Sequence, residues 1–208
     1  MTDRKSLGDS PTKIVECVRT AVDAGADWVQ IREKDLSGRD LLTLTRAVVS
    51  LNKSNHGGVH TIVNDRLDVA LAAGAAGVHF GGESLPAREV VQWCRAGNAP
   101  QDFLIGVSCH SLEEARAAEQ AGASYILFGP VFDTPSKQRF GPPQGLALLS
   151  AVCRAITIPT IAIGGVDETN GRECLRAGAA GVAAIRLFQS GRKLGELKAA
   201  IMRLHESE

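Results

Sequence analysis

Four copies of one phrase set the terms on which this chain can fold. They read AGADWVQI from Ala24, AGAAGVHF from Ala73, AGASYILF from Ala121 and AGAAGVAAI from Ala177, spaced 49, 48 and 56 residues apart. In each copy a helical stretch runs into a Gly and an apolar, β-type run follows. That is a helix stop feeding a buried strand. A period near 50 is too long for one βα unit and suits two. Four periods of two units make eight, the count of a closed (β/α)8 TIM barrel. The 208 residues suit one such domain spanning 1–208, with little room for insertions. In this architecture the chemistry gathers at the C-terminal tips of the strands.

Strand-like runs fall at 28–33, 60–65, 77–81, 104–108, 125–131, 160–165 and 181–187. Most are continuous apolar runs, as expected of strands covered on both faces. Helical patterns separate them. Pro11 opens one with Ile14, Val15, Val18 and Val22 on one face, and Ser111 with Glu114 forms a capping box for another. Ahead of Pro11 stands only a polar decapeptide with MTDRK where a first strand is expected. The barrel is therefore expected to have a truncated first strand: either the natural chain starts further upstream, or a stub of a few residues serves.

Formal net charge is zero, so nothing in the totals points to nucleic acid or an anionic membrane as partner. No apolar run approaches the roughly 20 residues of a membrane span. The five cysteines lack metal-ligand spacing and read as reduced thiols, which implies a cytoplasmic protein.

Polar residues collect at the strand ends: Arg32-Glu33-Lys34-Asp35, Asn64-Asp65, Gly81-Gly82-Glu83-Ser84, Ser108, the loop Asp133-Thr134-Pro135-Ser136-Lys137, Gly164-Gly165 and Arg186 in the last strand. Cations at Arg32, Lys34 and Lys137 with the Asp65 carboxylate, able to hold Mg²⁺, suit a phosphorylated substrate and especially a diphosphate leaving group. Gly164-Gly165 suits a phosphate loop, because bare backbone N–H groups can approach an anion there. Blander readings stand beside these. Arg32 and Glu33 could pair on the rim, Asn64-Asp65 could cap the next helix, and Gly164-Gly165 could be a plain turn. His79, inside an apolar run, reads as a core histidine. His110 reads as structural and Cys109 as inert.

Together the phrases VQIREKDLSGRDLL (29–42), IVNDRLDVALAAGAAGVHFG (62–81), IGVSCHSLEEA (105–115), FGPVFDTPSKQRFGPPQGL (128–146) and IPTIAIGGV (158–166) resemble the family of thiamine phosphate synthase and its thiazole tautomerase relatives. The resemblance covers nearly the whole chain, and MTDR resembles the end of the family's first strand. It implies a transferase that joins hydroxymethylpyrimidine diphosphate to a thiazole phosphate. Diphosphate leaves the pyrimidine methylene, and the thiazole nitrogen captures the cation that forms. By resemblance, Arg32, Lys34 and Lys137 grip diphosphate, Asn64 contacts diphosphate and pyrimidine, and Asp65 holds Mg²⁺. Ser108 lies near the reacting centre, while Thr134, Ser136 and Gly165 hold the thiazole phosphate.

The chain also departs from the family's pattern. GGES replaces the usual GQED, putting Ser84 where the second Mg²⁺ ligand stands, with Glu83 as a possible substitute. Arg186 replaces a serine, where it can contact phosphate or block the pocket. These departures keep open a thiazole tautomerase and a non-catalytic, thiamine-phosphate-binding barrel. The tautomerase relatives, however, tend to lose the REK lysine and the Asn-Asp pair, and carry a histidine where this chain has Pro130.

Overall fold

The computed structural model describes residues 1–52, 59–134 and 142–205. In chain order the elements are a 3-10 turn (Arg4–Leu7), α1 (Pro11–Asp23), β1 (Trp28–Ile31), α2 (Gly38–Asn52), β2 (His60–Asn64), α3 (Leu67–Ala73), β3 (Gly77–Phe80), α4 (Ala87–Trp93), a π-type turn (Cys94–Asn98), β4 (Leu104–Cys109), α5 (Leu112–Ala121), β5 (Tyr125–Phe128), α6 (Gly145–Ala155), β6 (Thr160–Ile163), α7 (Gly171–Arg176), β7 (Gly181–Ala183), α8 (Arg186–Gln189) and α9 (Leu194–His205). This is an α/β fold with seven parallel strands among the described residues. The residues gather into two compact units, Met1–His79 with Ile185–Glu208, and Phe80–Ala184.

The repeated phrase does in structure what its composition predicts. Gly25, Gly74, Gly122 and Gly178 all have positive φ, at 102°, 68°, 88° and 103°. After each, an alanine N–H reaches back five residues to a carbonyl of the last helical turn: Ala26 to Ala21 (3.0 Å), Ala75 to Ala70 (2.9 Å), Ala123 to Ala118 (3.0 Å) and Ala179 to Cys174 (3.1 Å). The glycine N–H groups bond three residues back, completing a Schellman stop at each of the four helices. Strands β1, β3, β5 and β7 follow at once, so each period holds two βα units, as the spacing requires.

In the first unit β1 lies parallel to β2, from Trp28 opposite His60 to Ile31 opposite Val63, and β2 to β3, from Ile62 opposite Gly77 to Asn64 opposite His79. Its buried side chains include Ile14 and Val18 of α1, Ile31, Val48, Ile62, Val63 and Leu197. Helix α1 starts where Pro11 and the Ser10 hydroxyl, accepting from the Lys13 N–H at 3.4 Å, predict a start.

In the second unit β4 pairs with β5 (Gly106 opposite Tyr125), β5 with β6 (Ile126 opposite Thr160) and β6 with β7 (Ile161 opposite Gly181). Ile126, Phe128, Leu149, Val152 and Ala162 form its core, with Ala115 of α5 and Cys174 of α7. The capping box at α5 forms with one difference. The Ser111 hydroxyl accepts from the Glu114 N–H at 3.1 Å, but the Glu114 carboxylate accepts from the His110 N–H at 2.5 Å, one residue before the cap.

Two expectations need correction. The described residues hold seven strands, not the eight of a closed barrel, and none precedes α1. The segment expected as strand one turns as the 3-10 helix of Arg4–Leu7. What survives of it is one rung: the Thr2 N–H donates to the Gln30 carbonyl at 2.8 Å, and the Thr2 hydroxyl accepts from the Arg32 N–H at 3.0 Å. The last strand is also shorter than 181–187. It ends at Ala183, the backbone turns helical at Ile185, and Arg186 opens α8 instead of lying in a strand.

Candidate active site

At the C-terminal end of β1, strand alternation puts Gln30 and Arg32 on one face and Ile31 and Glu33 on the other. Gln30 is 9% exposed, yet neither its amide oxygen nor its amide nitrogen has a hydrogen-bond partner among the described residues. Native proteins rarely leave both ends of a buried amide unpaired, and such a group points to a ligand. Reading VQI as an apolar run misses this residue; the detectable signal was a polar side chain inside a fully covered strand.

Glu33 does not pair with Arg32. Its carboxylate, buried, accepts the Arg4 N–H at 3.1 Å on both oxygens and lies 3.8 Å from the Arg4 Nε. Arg32 and Lys34, on either side of the buried Glu33, are both exposed. The Lys34 ammonium stands 3.8 Å from the Asp65 carboxylate, with the two side chains 59% and 32% exposed.

Asp65 closes β2 in a conformation few non-glycine residues adopt, with φ at 62°. Its N–H donates to the His79 carbonyl at 2.9 Å, and the Arg66 N–H donates to the Asn64 carbonyl at 2.8 Å, so the chain reverses around it. The Asn64 amide donates to the Asp65 carboxylate at 2.6 Å. Neither residue caps α3. The cap position is Arg66, without a side-chain cap bond, and its guanidinium forks onto Asp68 at 2.8 and 2.6 Å. Backbone strain of this kind concentrates at functional sites.

Beside this turn His79 is 2% exposed. Burial pushes its pKa from 6.5 to about 3, against the raising effect of the Asp65 charge and aided by that of Arg32. It is a neutral core histidine, and Arg32 and Asp65 both lie close enough for their charges to act on it. In the first unit the structure thus brings Lys34, Asn64 and Asp65 together. Arg186, exposed, heads the short α8.

In the second unit the Ser84 hydroxyl accepts the Gly81 N–H at 2.7 Å, and the Ser84 N–H returns to the Gly81 carbonyl at 3.1 Å. Glu83 is exposed. Ser108, half-buried, sits near the end of β4 opposite Leu127. The segment after β5 runs beside the end of β6, with the Val131 N–H donating to Ile163 and the Phe132 N–H to Gly164, each at 2.9 Å. Gly164 and Gly165 have φ of 94° and 67°, and a methyl at Gly165 would lie 2.6 Å from the Asp133 carbonyl. These glycines are required, and they bring Gly165 against the backbone next to Thr134. Ser136 and Lys137 lie outside the described residues.

Cys109 and His110 keep structural roles. Burial and the nearby Glu114 push the buried Cys109 thiol up to about 12, and the His110 Nδ1 bonds the Gly129 carbonyl. Among the described residues no group of three or more His, Cys, Asp and Glu gathers to cage a metal. No helix there is long and apolar enough to cross a membrane.

Comparison with known proteins adds the following. A family model described as thiamine monophosphate synthase matches residues 2–188. A putative thiamine-phosphate synthase of Geobacter sulfurreducens is 45% identical over 89% of this chain and 83% of its own length. A thiamine-phosphate synthase of Roseiflexus sp. is 41% identical over 89% of this chain and 75% of its own. The solved structure of thiamine phosphate pyrophosphorylase from Pyrococcus furiosus superposes with a TM-score of 0.80 at 32% identity, covering 91% of this chain and 88% of that one.

Proposed function

We infer the reaction from one premise: this chain belongs to the thiamine monophosphate synthase family. It is a thiamine-phosphate synthase, a transferase of thiamine biosynthesis acting on small-molecule substrates. The pyrimidine methylene loses diphosphate and bonds to the thiazole nitrogen. The work asked of the protein is to stabilise charge on the departing diphosphate and to hold each ring in place. We read the seven parallel strands of the described residues as a (β/α)8 barrel whose first strand is reduced to the rung at Thr2.

The observation that carries the assignment of residues is the Lys34–Asp65 pair at 3.8 Å on the ends of adjoining strands, with Asn64 on the same carboxylate at 2.6 Å. Lys34 and Arg32 bind the diphosphate, and Lys137 adds a third cation. As the C–O bond breaks, negative charge grows on the leaving oxygens, and fixed cations lower that barrier more than they favour the bound substrate. Asn64 orients diphosphate and the pyrimidine.

Gln30 offers an NH2 donor group and a carbonyl acceptor side by side from a buried position, which complements the edge of an aminopyrimidine. Thr134, Ser136 and the backbone of Gly165 take the thiazole phosphate, and Ser108 lines the reacting centre. Arg186, an exposed cation at a helix start, is assigned to phosphate.

Mg²⁺ asks few carboxylates of a protein when substrate phosphates supply its other oxygens. The Asp65 carboxylate fits that demand, and Mg²⁺ held there would neutralise diphosphate charge. Ser84, given the metal role by position, accepts the Gly81 N–H on its hydroxyl oxygen; one lone pair thus closes that turn, and a hydroxyl carries a second with which to meet the metal. Five free thiols support a reducing, cytoplasmic setting.

Incubating the purified full chain with both substrates and Mg²⁺ is expected to release diphosphate in step with thiamine phosphate. Absence of release would overturn the assignment. Isomer exchange of a thiazole carboxylate without any pyrimidine substrate would replace it with a tautomerase.

A further inference from the structure

The cations of the REK segment alternate with two carboxylates, Glu33 and Asp35, that flank Lys34. Left alone, these would repel the anion that Lys34 is assigned to bind. Both are instead held by Arg4, from outside the segment, and Asp35 also pairs with the exposed Lys5 ammonium at 3.4 Å. Arg4, 6% exposed, gives its N–H to Glu33 at 3.1 Å and its guanidinium to Asp35 at 3.0 Å, and its Nε lies 3.8 Å from Glu33. Its guanidinium also bonds the Asp9 carboxylate, and the Asp9 N–H returns to the Arg4 carbonyl at 3.0 Å. With the two Thr2 bonds to Gln30 and Arg32, the segment Thr2–Arg4 holds residues 30, 32, 33 and 35. None of these bonds goes to Lys34, whose side chain is 59% exposed.

A buried ion pair is weak evidence for stability, because desolvation offsets its attraction; its best-attested use is to fix position. Only arginine offers a fork able to serve two carboxylates and, at 3.3 Å, the Asp9 carbonyl at once. We propose that Arg4 is a positioning residue for the diphosphate-binding loop: by clamping Glu33 and Asp35 on either side of Lys34, it sets the backbone from which the ammonium reaches the substrate and turns both neighbouring carboxylates away. The proposal rests on the reading of Lys34 as a diphosphate contact.

Steady-state kinetics with each substrate varied in turn, on the full chain, tests it. Arg4→Gln is expected to raise KM for the pyrimidine diphosphate about tenfold and to leave KM for the thiazole phosphate within about twofold. Arg4→Lys, which keeps the charge and loses the fork, is expected to fall between Arg4→Gln and the unaltered protein. Asp35→Asn weakens the exposed leg of the clamp, together with the exposed Lys5 pair, and leaves the buried Glu33 leg intact, so it decides the matter if Arg4→Gln does not fold. It is expected to raise the same KM about threefold, whereas simple removal of a negative charge would lower it.

Lys34→Ala separates the two levels. If it raises the diphosphate KM while the Arg4 and Asp35 variants leave it unchanged, or if those variants raise both KM values in parallel, the clamp is overturned and the diphosphate reading stands. If Lys34→Ala leaves that KM unchanged, the diphosphate reading falls and the clamp with it.

Discussion

At Gln30 a buried amide has no partner among the described residues, and a group in that state costs about 1–3 kcal/mol. Replacing it with an apolar side chain of similar volume removes the cost and the recognition together. Gln30→Leu is therefore expected to raise unfolding stability by about 1 kcal/mol in a urea titration, while raising KM for the pyrimidine substrate about tenfold. Asp65 is a different case. Its carboxylate is assigned to Mg²⁺, so Asp65→Ala is expected to cut turnover about a hundredfold or more and to weaken the response to added Mg²⁺, read by titrating the metal into the assay. Residue identity was legible where it was local. Lys34, Asn64 and Asp65 stand in short phrases, and the structure brings them together. The partner of Glu33 was not legible, because Arg4 lies 29 residues away and only the fold joins them. The role of Gln30 was hidden by the apolar residues on both sides of it.

Among the elements, those ended by glycine were the easiest to read. A left-handed residue followed by a backbone bond to the last helical turn is a short-range event, and four copies of it were visible as a repeat. The end of β7 was not readable, because 181–185 is an unbroken run of Gly and apolar residues and nothing in its composition marks the turn at Ile185. The missing first strand was legible as an absence, though its surviving rung at Thr2 was not. The two kinds of glycine are expected to respond differently to substitution. At Gly74 a methyl would meet nothing within 4 Å, so Gly74→Ala is expected to cost only the left-handed conformation, about 1–2 kcal/mol in a denaturation curve, with kinetics unchanged. Gly165→Ala adds a clash at 2.6 Å with the Asp133 carbonyl. It is expected to raise KM for the thiazole phosphate as well, because the backbone proposed to bind that phosphate must shift.

For the whole molecule, pH exposes the cost of keeping His79 neutral. Its folded pKa of about 3 lies below the ordinary 6.5, so between those values the unfolded chain takes a proton the folded one refuses. Stability therefore falls as pH drops through that window, by about 1.4 kcal/mol per unit, or about 2 kcal/mol from pH 7 to pH 5. Urea midpoints at the two pH values are expected to show this loss, and His79→Gln to show less of it. The division of the chain has a consequence for the order of events during synthesis. Phe80–Ala184 is one uninterrupted stretch, and within it β5, β6 and β7 each pair with the strand made just before. The other unit opens with Met1 but needs residues from Ile185 onward. On the ribosome, the part begun first is thus completed last, waiting on its final helices after the later-begun part already has every segment it needs.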